Sequence, residues 1–162
     1  MKINFFSRSL QLFMPLFFFM SAFVHAQETH VVTLYVDTEQ ISTNIPDPEL
    51  GSVCNFGQEE GVSNEAYSIT VNLEDIVQWK GVAMNGSDIV NIEQILYVRG
   101  PNPFPDNRRE LPGTGEGAKT VTVQVTQSTG EASCKYLLKF TVIRNGEPLN
   151  RMFNIDPDIR VR

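Results

Sequence analysis

The chain has 162 residues and a formal net charge of −6, from 13 basic and 19 acidic side chains. This length fits one domain of ordinary size. The acidic balance argues against the classes of protein that bind nucleic acid or anionic membranes through net positive charge.

The first 26 residues predict a secretory signal peptide. Lys2 and Arg8 form a positively charged start, Leu10–Val24 is almost continuously apolar, and Val24-His25-Ala26 supplies a cleavage site. A retained membrane anchor is the alternative, but the apolar run is short for a span. Cleavage leaves Gln27–Arg162, with 162 − 26 = 136 residues and a net charge of 11 − 19 = −8. We therefore expect one domain over residues 27–162, in a periplasmic or extracellular protein without membrane insertion.

Two cysteines, Cys54 and Cys134, remain in the mature chain. An even number of cysteines without metal-ligand spacing, in a chain bound for an oxidising compartment, predicts a disulfide. The bond would close a loop of 134 − 54 = 80 residues. The loss of chain entropy in the unfolded state would then stabilise the fold by roughly 4–5 kcal/mol. Two free thiols and pairing between molecules are the alternatives.

The first half of the mature chain predicts three strands around one irregular segment. His30–Asp37 is rich in β-branched residues and forms the first strand. Gln40–Glu65 shows no clear period and contains prolines, which argues against regular structure. Ala66–Val71 forms the next strand, and Asn72–Asp75 turns the chain into a third.

The third strand carries the tryptophan of the sequence. Val77 and Trp79 share one face of it, while the residues between them face the other way, as in a half-buried strand. A single tryptophan in this setting is typical of the centre of a sandwich core, and a ligand-stacking role is the alternative. Phe140, on the apolar face of a later strand, is predicted to join Val77 and Trp79 in the core.

The second half predicts further short strands. The apolar residues Val90, Ile92, Leu96 and Val98 are expected to share one face of a strand over Val90–Arg99. The remaining strands and their hairpin follow as Thr120–Thr126, Cys134–Ile143, a turn at Arg144–Glu147, Leu149–Ile155 and Ile159–Arg162. Seven to eight strands spaced by about ten residues, without a long helix, predict an all-β protein: a single antiparallel β-sandwich of cupredoxin-like or Ig-like type.

Few residues suit catalysis. His30 is the one histidine of the mature chain, and no Gly-x-Ser-x-Gly motif accompanies it, so neither a Ser-His-Asp nor a Cys-His site is indicated. Paired carboxylates occur in turns, where acidic residues often have structural roles. A weak calcium site is chemically allowed, although no spacing identifies one, among Asp37, Glu39, Asp47 and Asp156. We expect no enzymatic activity, cofactor or resident metal.

The long loop Arg99–Lys119 is the candidate interaction surface. It is rich in proline and glycine, and loops of its length are usually functional or disordered. Phe104 lies between two prolines as an expected apolar knob, and Arg99, Arg108 and Arg109 supply bidentate donors. The alternative interpretation is an ordinary surface loop that binds no partner. We expect a protein or glycan partner that binds through such end loops.

Self-association is the alternative function. The predicted strand Thr120–Thr126 could lie at the edge of a sheet and pair with another copy, which would give a homo-oligomer with an assembly role in the cell envelope. Its outward threonine and glutamine side chains equally suit a solvated face.

Ser68–Val71 and Asp75–Trp79 resemble the opening strands of cupredoxin-like domains, and residues 153–161 resemble the closing strands of small cupredoxin-like or Ig-like proteins. Blue-copper members of that family need two histidines, a cysteine and usually a methionine. Cys134 has no histidine after it. The resemblance therefore implies a fold and not copper binding.

A second resemblance covers most of the chain from Thr33 to Val161. Val36-Asp37-Thr38-Glu39, Asn44-Ile45-Pro46-Asp47-Pro48, Val77-Gln78-Trp79 and Asp156-Pro157-x-Ile159-x-Val161 are similar, in order, to landmarks of the bacterial inclusion-body protein family of the PixA/AidA type. The resemblance implies a compact β-sandwich without known catalytic residues and with a poorly defined molecular role. The signal peptide and the cysteine pair depart from the family and argue against storage in the cytoplasm.

Overall fold

The structure is a computed structural model and describes residues 26–162. The predicted signal peptide lies outside the described residues, except for Ala26. Across residues 26–162, no helix has the length and hydrophobicity needed to cross a membrane.

The described chain is built mainly of strands, which confirms the all-β prediction. Three short 3-10 helices accompany them, at Asp47–Ser52, Asn64–Ala66 and Pro105–Asn107. The strands between residues 26 and 162 are β1 (Thr29–Val36), β2 (Cys54–Asn55), β3 (Ser68–Val71), β4 (Ile76–Ala83), β5 (Ile89–Arg99), β6 (Glu110–Pro112), β7 (Val121–Gln124), β8 (Cys134–Arg144), β9 (Glu147–Pro148), β10 (Phe153–Ile155) and β11 (Asp158–Val161).

The strands form two sheets. Sheet A has the order β2-β1-β4-β7, and sheet B has the order β3-β11-β8-β5-β6 with β9 and β10 also paired to β8. Both sheets are mixed, because β1 runs parallel to β4 and β3 runs parallel to β11. The prediction of a purely antiparallel sandwich is therefore wrong. The segment between β1 and β4 is long enough for a crossover, which parallel neighbours require and a hairpin cannot supply.

The core lies between the sheets and joins them through aromatic residues. Trp79 of β4 and Tyr136 of β8 are both fully buried. Trp79 Nε1 donates a hydrogen bond of 3.0 Å to Tyr136 Oη, and the two rings meet edge to face with centroids 5.6 Å apart. Val77 and Phe140 are fully buried in the same core. Because Tyr136 Oη accepts the Trp79 N–H, the indole ring can be buried without the cost of an unpaired N–H donor.

A β-bulge changes which face of β5 is buried. The pairing of β5 with β8 shifts register between Ile92 and Gln94. One extra residue reverses the alternation beyond it, so that Ile95 is fully buried and Val98 is 46% exposed. The prediction that Leu96 and Val98 share a face with Ile92 is wrong for this reason.

The predicted disulfide between Cys54 and Cys134 is absent, and both thiols are free and buried. Cys54 belongs to β2 of sheet A, where its Sγ lies 3.2 Å from the carbonyl oxygen of Leu50. Cys134 belongs to β8 of sheet B, where it pairs with Ile159 of β11. Burial is the main cause that raises the pKa of each thiol to about 12. Each cysteine therefore acts as a small apolar side chain in its own sheet.

Candidate functional site

Phe104 does not form the exposed knob expected of the Arg99–Lys119 loop. Its side chain is fully buried, with its ring edge to face against Trp79 and the centroids 6.3 Å apart. Asn102 Oδ1 accepts a hydrogen bond of 3.0 Å from Phe104 N, which fixes the backbone where the chain dips inward. Burying a phenylalanine ring stabilises a protein by about 1.5–3 kcal/mol, so the ring belongs to the core and not to a partner.

The three arginines of the same region stay on the surface. Arg99, Arg108 and Arg109 are exposed. The guanidinium carbon of Arg109 lies 5.5 Å from the centre of the Tyr97 ring, a cation–π distance. Among residues 26–162, none of the three forms an ion pair within 4 Å. We refer to Arg99, Arg108 and Arg109 as the arginine surface.

The remainder of the Arg99–Lys119 loop covers the outer edge of β7. Thr120 exchanges backbone hydrogen bonds of 2.8 and 2.9 Å with Thr114, and Thr126 N donates one of 3.0 Å to the carbonyl oxygen of Pro103. The backbone N–H and C=O groups of Thr120 and Thr126 point away from β4. Because this direction alternates along a strand, those of Thr122 and Gln124 point the same way. The open part of this edge consists of two residues: Thr122 and Gln124.

The outer edge of β1 is open over a longer stretch. β2 pairs with only Tyr35 and Val36. It ends there because Asn55 Oδ1 accepts a hydrogen bond of 2.9 Å from Gly57 N, which replaces the next rung of the ladder. Gly57 has φ +75°, a conformation that turns the chain away from β1.

The backbone groups left open can be assigned from the bonds on the other side of β1. Glu28 O accepts from Ile76 N at 2.8 Å, and Val36 O accepts from Met84 N at 2.9 Å, so even-numbered residues of this strand face β4. Alternation directs the odd-numbered residues outward. Within the described chain, no hydrogen bond reaches the backbone of the residues beyond the end of β2: Thr29, Val31 and Thr33. Residues 29–33 are the open edge of β1.

Asp75 holds the beginning of β1 in place. The carboxylate is 1% exposed and accepts hydrogen bonds from Glu28 N at 3.0 Å, from Asn72 N at 2.9 Å and from His30 Nε2 at 2.8 Å. Burial alone would raise the pKa of Asp75, but these hydrogen bonds outweigh it and hold the pKa below its ordinary value. His30 therefore has a structural partner, the buried Asp75 carboxylate.

One surface cleft is acidic but is not arranged as a metal site. It has a volume of about 430 Å³ and is lined by Asp47, Pro48, Glu65, Leu137, Asn154 and Asp156. The two oxygens of Asp47 accept hydrogen bonds of 2.7 Å from Arg151 and Asn154. Between residues 26 and 162, no group of three or more histidine, cysteine or acidic side chains is placed to hold a metal ion. The calcium alternative gains no support, since Asp37 binds the backbone of Glu39 in a local turn.

The second cleft, of about 420 Å³, lies on the outer face of sheet B between β5, β8 and the segment 148–152. Its carboxylate, Glu93, accepts hydrogen bonds of 2.7 Å from Lys119 Nζ and 2.8 Å from Thr141 Oγ1. Burial opposes the charge of Glu93, but these two partners outweigh it and lower its pKa. The carboxylate and the Thr141 hydroxyl of this cleft are thus bonded to each other and engaged in structure.

The fold is similar to that of a solved protein, the inclusion body protein PixA from Burkholderia cenocepacia J2315. The similarity has a TM-score of 0.58 and covers 87% of this chain and 99% of that chain, at 16% sequence identity. The two proteins share a fold. Neither a family model nor a curated protein matches the sequence. The resemblance noted in the sequence is therefore supported for the fold.

The open edge of β1 was not anticipated as a site, although β1 itself was predicted. Its outward residues carry no charge and no proline, the two features that commonly protect edge strands. That absence is a signal in the sequence. It could not be interpreted without knowing that β2 stops after two residues.

Proposed function

We propose that this chain is a non-enzymatic structural protein that works by self-association outside the cytoplasm. The observation that carries the proposal is the open edge of β1, where the backbone groups of Thr29, Val31 and Thr33 have no partner in the described chain. Unprotected strand edges favour pairing with another strand. The open edge of β1 therefore offers unpaired backbone groups to a strand of another molecule.

Two further observations support this choice over binding through the Arg99–Lys119 loop. Phe104 is buried, so that loop lacks the apolar anchor first expected of it. The fold also resembles that of a protein described as an inclusion body protein. We extend the proposal to kinship: this chain is a divergent, exported relative of that family, with a sandwich of the cupredoxin-like or Ig-like kind.

Sedimentation velocity of residues 27–162 over a wide concentration range tests the proposal. Self-association predicts a sedimentation coefficient that rises with concentration. A monomer at every concentration would overturn it.

The exported location is tested separately. Mass spectrometry of the protein from the cell envelope and culture fluid is expected to find a mature chain that begins at Gln27. A full-length chain in the cytoplasmic fraction would contradict export, and it would leave the sedimentation result to decide on assembly.

The arginine surface favours a second candidate function, the binding of a protein or glycan with acidic groups. Arginine offers paired donors that match carboxylates and phosphates, and Arg99, Arg108 and Arg109 have no acidic partner in the described chain. An affinity pull-down from envelope and culture fluid would compare the natural chain with the double variant Arg108→Glu, Arg109→Glu. A partner captured only by the natural chain would support this function, and equal capture by both would exclude these arginines.

A further inference from the structure

We infer that the open edge of β1 pairs with the same edge of a second copy, antiparallel, about a two-fold axis that passes beside Val31. This inference rests on the proposed self-association and specifies its surface and register. The result is a continuous sheet in the order β7-β4-β1-β1-β4-β7 across two molecules.

The spacing of the free backbone groups favours this register. Thr29, Val31 and Thr33 are the outward residues, two positions apart. When Val31 lies opposite Val31 of the second copy, Thr29 lies opposite Thr33 in both directions. Antiparallel residues in such positions exchange two hydrogen bonds, so the three pairs form about six. Each free donor and acceptor of the open edge then has a partner, without any change in the strand.

The length of the open edge also suits a second copy. Beyond Thr33, the position beside Tyr35 is occupied by Asn55 of β2. A long incoming strand would collide with β2, whereas the open edge of another copy spans the same five residues, Thr29 to Thr33. In each copy, all five residues of the open edge then face the other strand, and the pairing ends where β2 begins.

The side chains are compatible with two-fold pairing. A charged residue at the axis would meet an identical charge, and Val31 has none. Val31, 49% exposed in the single chain, would lie next to its counterpart on the outer face of the sheet, and Thr29 would lie next to Thr33. Pairs of β-branched residues across strands are stabilising. The net charge of 11 − 19 = −8 on residues 27–162 makes whole copies repel, so salt is expected to strengthen the association.

The other edges are less suitable. β7 has two open residues between ends that the Arg99–Lys119 loop covers. β6 is three residues long and ends in Pro112, which lacks a donor. β3, at the other end of sheet B, is four residues long. In the part of the chain that the structure describes, the open edge of β1 is the longest uncovered run.

The first experiment compares matched lysine variants by sedimentation velocity. Val31→Lys puts like charges together at the axis and is expected to weaken dimerisation at least tenfold, while Thr122→Lys, on the edge of β7, leaves it unchanged. Val31→Pro is a second variant, because the Val31 amide faces outward and proline removes a donor only from the open edge.

The outcomes separate the inference from the proposed function. A natural chain that stays monomeric overturns both. Association that survives Val31→Lys and Val31→Pro but is lost in Thr122→Lys keeps the function and overturns the β1 pairing. Association that is unchanged in all three variants also keeps the function and overturns the β1 pairing.

A cross-linking experiment tests the register. A cysteine from Val31→Cys would lie next to its counterpart and should be joined by a short bis-maleimide. A cysteine from Thr33→Cys would lie four residues, roughly 14 Å, from its counterpart, so the same reagent should not join the two. Cys54 and Cys134 are buried, with pKa values of about 12, so the introduced thiol reacts selectively. More efficient cross-linking through position 33 than through position 31 would overturn the two-fold register.

Discussion

β8 and β1 both alternate buried and exposed side chains, but their neighbours differ. β8 has β5 along one side and β11, β10 and β9 along the other. β1 has β4 along one side, and only the two residues of β2 on the other. After β8 the chain returns at once through the hairpin at Asn145 and Gly146, whereas after β1 it departs into an irregular segment. Connections, and not the strand's own residues, decide which edge is left open.

The edge of β7 lies between these extremes. It ends sheet A, yet the Arg99–Lys119 loop binds both of its ends. That loop is anchored by Phe104 in the core. A loop that looks like a binding element in the sequence is therefore a cover for a sheet edge. Substitutions in the covered parts should therefore cost more stability than substitutions on the open edge.

Phe104→Ala should have the largest effect, because it removes the ring that anchors the cover. We expect the free energy of unfolding to fall by about 3–5 kcal/mol, as for other buried phenylalanines. Urea denaturation, followed by the fluorescence of Trp79, would measure this at concentrations where the chain is monomeric. The matched control in the same loop is Arg108→Ala, an exposed residue, which should change stability by at most about 0.5 kcal/mol. Equal effects of the two variants would show that Phe104 is not buried.

Asp75→Asn should have an intermediate effect, because it weakens the anchor at the start of the open strand. An amide replaces a buried carboxylate that accepts three hydrogen bonds, so we expect a loss of about 1–3 kcal/mol.

The effect should also depend on pH. A carboxyl with a lowered pKa stabilises the fold above its ordinary value of 3.8 and loses this contribution as the pH falls through the folded value. The urea midpoints of the natural chain and of Asp75→Asn should therefore differ at pH 7 and converge as the pH falls to 3. The exposed Glu116→Gln is the charge-matched control. A difference that stays constant over this range would contradict the role given to Asp75.

Val31→Lys should leave the isolated chain almost unaffected, because the open edge has no internal partner. The free energy of unfolding of the monomer is expected to change by at most about 0.5 kcal/mol. Denaturation at low protein concentration would measure it. A loss above about 1 kcal/mol would mean that Val31 packs within the monomer and that the edge is not open.

A reducing agent should have no effect on stability, because Cys54 and Cys134 are not bonded. A disulfide between them would contribute roughly 4–5 kcal/mol and would be lost on reduction. Urea unfolding with and without dithiothreitol measures the difference. Alkylation of the unfolded, unreduced protein should add two labels, and labelling that requires prior reduction would contradict the free thiols.

Much of the local structure could be predicted because it depends on near neighbours in sequence. The alternation of β4 and β8 identified buried faces that include Trp79 and Phe140. Asn145 and Gly146 tolerate the positive φ values of 51° and 82° that their hairpin requires. Over β5 the same reasoning failed after Ile92, because a bulge depends on the pairing with β8 and leaves no period of its own.

The candidate sites could be predicted less well. Arg108 and Arg109 are exposed as expected, since charged side chains stay in water without local help. Phe104 was misplaced, because the distance between its loop and Trp79 depends on how two sheets pack. The cysteine pairing failed for a similar reason: parity of the count says nothing about which sheet each thiol joins.

Most of the longer strands, the inward faces of β4 and β8, the hairpin at Asn145 and Gly146 and the scarcity of catalytic groups could be read from the sequence, because these follow from residue type and short-range periodicity. The tertiary structure decided which strands are neighbours, which run parallel and which edge has no cover. Those features depend on contacts between residues far apart in the chain, such as Asp75 with Glu28 and Thr126 with Pro103. The surface proposed for assembly belongs to this second group.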